Sequence, residues 1–288
     1  MAVADSSRVP RGDVTASLNY YNPPADKAAI PFNYVDTPPA GEPTRNFSDA
    51  THDTRIHDLR AAPGLGADFS LDRDAFQLLS RVPPSSEPDF VDDDSIRRNY
   101  YPEVERLLLD AIPGADRVHI FDHTVRRAGP GAPRAPVTRV HIDQTPPSVA
   151  KRVRRYFPDE ADDLLRRRYR IVNVWRPLNK DPVESFPLAF ASTSTLRDHD
   201  VVPIQHRYPD GYLGETAAIR YNPEQKWYYL SGMTGDERLL LECFDSESLK
   251  PGSNIGGRVP HSAFVDPRSR PDAVGRESIE VRALVFGP

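Results

Sequence analysis

From about residue 115 onward, the sequence is a succession of short segments rich in β-branched and aromatic residues, separated by proline and glycine. The longest of these segments are residues 169–176, 239–246 and 277–286. The chain has 30 prolines in 288 residues, about twice the usual share of ~5%, and each one fixes φ and removes a backbone donor. Short strands with regular turn signals favour two packed sheets over a helical bundle. We therefore predict a mainly β protein with flanking helices and a double-stranded β-helix, or jelly-roll, core over about residues 115–286.

The first part of the chain follows a different pattern. Residues 1–50 are rich in proline, alanine, aspartate and asparagine, which predicts an extended N-terminal arm with one outer strand near residues 14–20. Pro102 is predicted at or near the first turn of a helix, where a missing N–H is tolerated. A glycine- and proline-rich loop is predicted at 128–136. Helices are predicted over four segments: 72–80, 93–112, 148–157 and 159–168. Together these elements predict one domain over 1–288.

Composition limits the possible partners. The net charge is −5 and the pI is near 5.9, which argues against nucleic acid or an anionic membrane as the main partner. Cys243 is the single cysteine, so no intramolecular disulfide forms and a reducing compartment is expected. No stretch approaches the ~18 apolar residues of a membrane span. We predict a cytoplasmic protein that acts on a small molecule, with the oligomeric state left open.

The most informative local motif is His141-Ile142-Asp143, within a segment that alternates like a short strand. Residues two apart on a strand point to the same face, so His141 and Asp143 lie side by side. An imidazole and a carboxylate are two of the three ligands of the 2-His-1-carboxylate facial triad, which binds non-haem Fe(II) with positions left open. The alternative is an ordinary surface hydrogen bond, so a third ligand is required.

Three histidines follow Asp143. His199 lies in a charged loop and His206 precedes a Pro-Asp-Gly turn, so both are predicted to be exposed. His261 begins an apolar run and is the best candidate for the third ligand. The alternative for His261 is a hydrogen-bonded residue at the start of a strand. As a set, His141, Asp143 and His261 have the donor chemistry that suits Fe(II).

An iron site of this kind needs a source of electrons, and a 2-oxo acid that chelates the metal would supply two. Its distal carboxylate needs a fixed cation. Arg276 and Ser278 share one face at the start of the last predicted strand, where they would offer a bidentate guanidinium and a hydroxyl donor. Arg282 shares that face if the alternation continues, and it is the rival anchor.

Six segments together resemble a known family, the gibberellin-desaturase-like hydroxylases and desaturases among the Fe(II)/2-oxoglutarate-dependent oxygenases of fungal and bacterial secondary metabolism. The resemblance covers about residues 14–286 and implies the cofactors Fe(II), 2-oxoglutarate and dioxygen. It also implies oxidation of an aliphatic C–H by hydroxylation, desaturation or oxidative ring closure, such as aziridine formation on an amino acid. The six segments are residues 121–127, 140–143, 173–178, 244–246, 260–264 and 276–282.

The resemblance implies further site residues. Arg126, Asn173 and Trp175 match family motifs and are predicted to line the substrate pocket, while Arg176 is predicted to assist the co-substrate. Trp175 is equally consistent with core packing. Family members share a fold and cofactors but differ in reaction, so the substrate stays open.

Two other classes of function fit part of the same pattern. A cupin-like metal-dependent hydrolase or isomerase would use the same three ligands without an oxo acid. A non-catalytic jelly-roll binding module is the second alternative. The sequence contains no Gly-x-Ser-x-Gly elbow, Walker loop, Rossmann fingerprint or zinc-knuckle cysteine set, so these common enzyme classes are excluded.

Overall fold

The computed structural model describes residues 9–60, 68–127 and 135–287. In these ranges the chain forms four α-helices: α1 (Leu71–Asp74), α2 (Asp93–Ala111), α3 (Pro146–Tyr156) and α4 (Ala161–Leu164). The strands are β1 (Val14–Asn22), β2 (Phe32–Tyr34), β3 (Ser48–Asp58), β4 (Phe76–Leu79), β5 (Arg117–Arg126), β6 (His141–Ile142), β7 (Arg168–Pro177), β8 (Leu188–Ala191), β9 (Val201–Arg207), β10 (Leu213–Ile219), β11 (Trp227–Tyr229), β12 (Arg238–Asp245), β13 (His261–Ala263) and β14 (Ser278–Gly287).

The strands form two sheets. The larger sheet has nine strands in the order β1-β3-β11-β8-β13-β6-β10-β9-β2, and the smaller has five in the order β4-β12-β7-β14-β5. The largest group of buried apolar side chains contains residues of both sheets. This mainly β, double-sheet architecture agrees with the prediction from the short strand segments. A second apolar cluster joins α2 to the outer face of the five-stranded sheet.

Residues 14–22 are more than a surface arm. β1 pairs with β3 along all nine of its residues, and its side chains alternate between buried and exposed up to Tyr20. Leu18 and Tyr20 are completely buried and belong to the same apolar cluster as Phe286 near the other end of the chain. Since burial of a large apolar side chain contributes about 1.5–3 kcal/mol, this strand is part of the core.

The helix predicted over 72–80 is wrong in its second half. α1 ends after one turn because Ala75 adopts a left-handed conformation (φ 63°). The chain then continues as β4, which pairs with β12 in the five-stranded sheet and buries Phe76 completely. Hydrogen bonding to β12 therefore outweighs the local helical pattern in these four residues.

The bounds of α2 agree with the prediction, and Asp92 caps the helix by accepting a hydrogen bond from the Ser95 amide. Pro102, however, lies in the middle of the helix, where its ring deprives the Arg98 carbonyl of a hydrogen bond. Arg98 is exposed, so water is able to satisfy that carbonyl. The buried face consists of Ile96, Tyr100, Val104 and Leu108, at helical spacing.

The remaining predicted elements are largely present. α3 matches the predicted helix over 148–157, whereas α4 is one turn instead of the predicted 159–168. Of the predicted loop over 128–136, residues 128–134 lie outside the described ranges. Within those ranges, no helix has both the length and the hydropathy that a bilayer span requires.

Candidate metal centre

His141, Asp143 and His261 meet at the inner side of the nine-stranded sheet. His141 on β6 and His261 on β13 are directly opposite each other on neighbouring antiparallel strands, and Asp143 follows β6 immediately. One ligand atom of each side chain lies within 4.8 Å of the other two. His141 Nε2 is 3.3 Å and His261 Nε2 is 4.0 Å from Asp143 Oδ1. The same-face argument therefore placed the histidine and the aspartate correctly, and strand pairing adds the second histidine.

Backbone carbonyls orient both imidazole rings. His141 Nδ1 is 2.8 Å from the Arg139 carbonyl oxygen, and His261 Nδ1 is 3.1 Å from the Val259 carbonyl oxygen. A carbonyl accepts a hydrogen bond only from a protonated Nδ1, so each neutral ring directs an Nε2 lone pair to the shared centre. Burial, reinforced by the nearby His141, lowers the pKa of His261 to about 4. His261 is therefore neutral at physiological pH, as a metal ligand must be.

Asp143 is held in its ionised form from the opposite side. Arg282 Nε and Asn173 Nδ2 donate hydrogen bonds of 3.0 and 2.8 Å to Asp143 Oδ2, which leaves Oδ1 next to the histidines. Burial alone would raise the pKa of Asp143, but the charge of the Arg282 guanidinium holds that pKa well below its usual range. The centre therefore presents two imidazole nitrogens and one carboxylate oxygen.

The three side chains line a cavity of about 280 Å³ between the two sheets. Most of the other predicted site residues line it as well: Arg126, Trp175, Arg276, Ser278 and Arg282, all on strands of the five-stranded sheet or, for Arg276, just before β14. The nine-stranded sheet provides the facing wall. The fold therefore brings these residues, distant in sequence, into one compartment.

Arg276 is the cavity arginine with unused hydrogen-bonding capacity. Its side chain is almost completely buried, and its guanidinium carbon is 5.5 Å from the centre of the Trp175 ring. One Nη donates to the Phe186 carbonyl at 2.8 Å, whereas Nε has no hydrogen-bond partner among the described residues. Burial and the charge of Arg126 lower the pKa of Arg276 to about 10, so it remains charged at neutral pH.

Arg282, the rival anchor, is already engaged. Besides its contact with Asp143, it donates hydrogen bonds to Asp122 at 2.9 Å and to Thr124 at 3.0 Å, and it forms a close ion pair with Glu280. These contacts use the donors that would otherwise be available to a carboxylate ligand. The geometry therefore favours Arg276 over Arg282 as the cation for the co-substrate.

Two residues chosen from the family motifs do not contact the cavity. Trp175 lines it, so strand alternation directs Arg176 to the outer face of β7, where its guanidinium carbon is 4.9 Å from the centre of the Phe90 ring. The predicted contact of Arg176 with the co-substrate is therefore not supported. Asn173 is fully buried behind Asp143 and acts on that carboxylate instead of lining the substrate space. Arg126 lines the cavity and donates to the Ala135 carbonyl at 2.8 Å.

The prediction that His206 is exposed is wrong. Its side chain is partly buried, lines the cavity and lies 2.7 Å, through Nε2, from Thr216 Oγ1. Burial and the charge of His141 lower the pKa of His206. The Pro-Asp-Gly turn that follows suggested exposure, but the alternation of Val202, Ile204 and His206 was a signal for an inward-facing residue. His199 is exposed, as predicted.

Known proteins share both the sequence and this fold. A family model described as "Oxidoreductase/YMDC permease-like domain" matches residues 18–286. The chain is 38% identical to the hydroxylase/desaturase poxK of Penicillium oxalicum, over 96% of this chain and 92% of that protein. It is 32% identical to the alpha-ketoglutarate-dependent dioxygenase phiK of a fungal species, over 96% of each chain. The solved structure of the iron and alpha-ketoglutarate-dependent endoperoxidase NvfI superposes with a TM-score of 0.85 at 28% identity, covering 96% of this chain and 99% of that one.

The fold and these relatives define the class of protein. The chain belongs to the family of Fe(II)/2-oxoglutarate-dependent dioxygenases that contains these hydroxylases and desaturases. The predictions of an oxidoreductase, of a jelly-roll core, and of Fe(II), 2-oxoglutarate and dioxygen as cofactors are confirmed at this level. The cupin-like hydrolase and the non-catalytic binding module are not favoured.

Proposed function

We propose that this chain oxidises an aliphatic C–H of a small molecule in secondary metabolism, with His141, Asp143 and His261 as the ligands of Fe(II). The observation that carries the proposal is the convergence of their three ligand atoms within 4.8 Å at the wall of a cavity. When bound, Fe(II), 2-oxoglutarate and dioxygen together supply the oxidising equivalents, and succinate and carbon dioxide are the co-products.

The donor set fits this metal. Two imidazoles and one carboxylate form the 2-His-1-carboxylate arrangement, which leaves coordination positions open for other ligands. Structural zinc sites, in contrast, are usually closed by four protein ligands, and the described residues offer three here. All three side chains line the cavity, so a metal that they held would be accessible from it, as a catalytic metal requires.

Arg276 and Ser278 are proposed to hold the distal carboxylate of 2-oxoglutarate. Both are buried and line the cavity, and Trp175 packs against the Arg276 guanidinium. A charge-assisted hydrogen bond in a buried site is stronger than a neutral one, and a guanidinium is able to bind a carboxylate bidentately. This anchor would fix the oxo-acid end near the histidines.

The rest of the cavity is proposed to control which C–H reacts. Arg282 and Asn173 keep Asp143 ionised and correctly oriented, and the apolar side chains of the nine-stranded sheet exclude water. Hydroxylation, desaturation and ring closure such as aziridine formation on an amino acid differ in the fate of the substrate after it loses hydrogen. The position of the substrate in this cavity therefore decides among them.

The direct test is the fate of 2-oxoglutarate. We expect the purified protein to convert 2-oxoglutarate to succinate only when Fe(II) and dioxygen are both present, and a substrate to accelerate that conversion. Succinate formation is followed by mass spectrometry, with zinc in place of iron as the control. Activity with zinc and no succinate with iron would support the metal-dependent hydrolase instead.

Weakening the support of Asp143 is expected to weaken metal binding. Asn173→Ala removes the 2.8 Å hydrogen bond to Asp143 Oδ2, and loss of such a partner typically costs about 10–100-fold in metal affinity. Anaerobic titration with Fe(II) measures the change. Asn179→Ala is the matched control, since Asn179 donates to the Gly275 carbonyl instead. An equal loss in both variants would contradict the role of Asn173.

The predictions about partners and location still rest on the sequence. The absence of a nucleic-acid or membrane partner rests on the net charge of −5 and on the sequence hydropathy. The cytoplasmic location rests on the single cysteine, Cys243, which is buried. The small-molecule substrate has the additional support of the relatives and of the cavity between the sheets.

A further inference from the structure

One wall of the cavity is formed by four strands in the order β13-β6-β10-β9. Ala218 is opposite His141 on β6, and Thr216 is opposite Ile204 on β9. Directly opposed residues of antiparallel strands face the same way, and so do residues two apart. His206 therefore faces the same interior as His141, farther from the centre of the sheet.

Apolar side chains form part of this side of the cavity: Ile204, Ala218 and Ala263 lie on the four strands, and Phe47, Val137 and Leu188 lie outside them. Among its polar residues, Arg139 is occupied by Asp49, with an Nε–Oδ1 distance of 2.6 Å, and Asn33 donates to the Tyr34 carbonyl. His206 and Thr216 also face the cavity, and the hydrogen bond between them is within the pair.

The His206 ring is held by one hydrogen bond, at Nε2, and its other nitrogen is available. Its Nε2 lies 2.7 Å from Thr216 Oγ1, which restrains rotation of the ring. No hydrogen bond to Nδ1 is present among the described residues. A polar atom that a ligand covers loses free energy unless the ligand offers it a hydrogen bond. Nδ1 of His206 is therefore available to a polar group of a ligand in the cavity.

The co-substrate and the substrate need separate places. Arg276 and Ser278 belong to the five-stranded sheet side of the cavity, whereas His206 and Thr216 belong to the opposite sheet. The cavity of about 280 Å³ lies below the range of roughly 300–1,000 Å³ for drug-sized ligands, and it must also receive 2-oxoglutarate. The space next to His206 therefore suits a compact substrate.

We propose that His206, held by Thr216, binds an amine or hydroxyl group of a compact substrate and so positions the neighbouring C–H at the metal centre. This inference rests on the proposed function and adds the substrate class and a specificity-determining residue. It distinguishes this chain from an enzyme built for a bulky, polycyclic apolar substrate.

Matched probes test the substrate class. The probes are L-amino acids, the corresponding 2-hydroxy acids, and the corresponding carboxylic acids without a substituent at C2, with a steroid as the bulky apolar probe. We expect an amino or hydroxy acid to raise the rate of succinate formation above the basal rate, and the unsubstituted acid of the same skeleton to fail. Failure of every compact probe, or equal stimulation by the unsubstituted acid or by the steroid, would overturn the proposal.

Variants test the residue. His206→Phe keeps a ring of similar size and removes both nitrogens, so we expect KM for the best probe to rise about tenfold, the upper range of one hydrogen bond. Thr216→Val, which frees the ring, should raise KM less, and His206→Gln should restore part of the affinity. Exposed His199→Phe is the control. An unchanged KM in His206→Phe would contradict the assignment.

Two readouts separate this proposal from the proposed function. Basal conversion of 2-oxoglutarate and Fe(II) affinity should be unchanged in the control variant His199→Phe, because His199 is exposed and lies outside the cavity. Thermal melting checks that each variant is folded. If basal conversion is absent from the unmodified protein, the oxygenase assignment fails; if it is present and only the probes fail, the substrate class alone is wrong.

Discussion

His261→Ala is expected to abolish Fe(II) binding at the cavity and, with it, formation of succinate from 2-oxoglutarate. His261 is almost completely buried, and its ring is oriented by the Val259 carbonyl, so its removal leaves His141 and Asp143 as the remaining members of the triad. Removal of a residue that merely hydrogen-bonds to a ligand typically costs about 10–100-fold in metal affinity. Loss of a ligand itself should cost more, because one of the three protein donors is gone.

Two measurements check this prediction. Metal content after anaerobic loading and desalting should fall from one iron per chain to background, and succinate formation should fall in parallel. His199→Ala is the matched control, because His199 is exposed and lies outside the cavity. Full iron occupancy together with undiminished succinate formation in His261→Ala would remove this residue from the metal centre.

Arg276→Ala is expected to raise KM for 2-oxoglutarate by roughly 30- to 5,000-fold. Removing one partner of a buried, hydrogen-bonded charge pair costs about 2–5 kcal/mol, and the Arg276 guanidinium is buried with an unused Nε. Fe(II) affinity should change little, because Arg276 is not among the residues that contact Asp143. The expected effect is therefore specific to the co-substrate.

The control for this variant is Arg176, which lies on β7, the strand that pairs with β14. Arg176→Ala removes a guanidinium that packs on Phe90 at the outer face, so KM for 2-oxoglutarate should stay within about twofold while thermal stability falls. Steady-state kinetics at saturating iron measure both variants. A large rise in KM for Arg176→Ala, with none for Arg276→Ala, would reverse the assignment and support the prediction made from the family motif.

The longer strands of the core could be predicted from the sequence because each has a local strand pattern. β7, β12 and β14 are long runs of apolar and β-branched residues bounded by turn residues, and all three were predicted within two residues of their bounds. β4 was missed because Phe76–Leu79 has no local strand pattern. Its conformation depends on pairing with β12, a partner about 160 residues away in the sequence.

For the cavity, too, the sequence predicted some features and the tertiary structure decided others. The two-residue spacing of His141 and Asp143 dictates a shared face, whatever the rest of the fold. The sequence alone did not decide which arginine is available for a carboxylate, because Arg276, just before β14, and Arg282, on β14, are predicted to share one face. The answer depends on Asp122 from β5 and Asp143 from the loop after β6, which together occupy Arg282.

The sequence by itself thus predicted the strand-rich architecture, the candidate triad of His141, Asp143 and His261, and the family, since these predictions depend on periodicity and on motifs of a few residues. The tertiary structure alone decided that Asn173 supports Asp143, that Arg176 packs on Phe90, and that the side of β9 that carries His206 faces the metal centre. These outcomes depend on which strands become neighbours and on the direction each side chain takes there. Pairing between strands separated by a hundred or more residues decides both, and no local pattern encodes it.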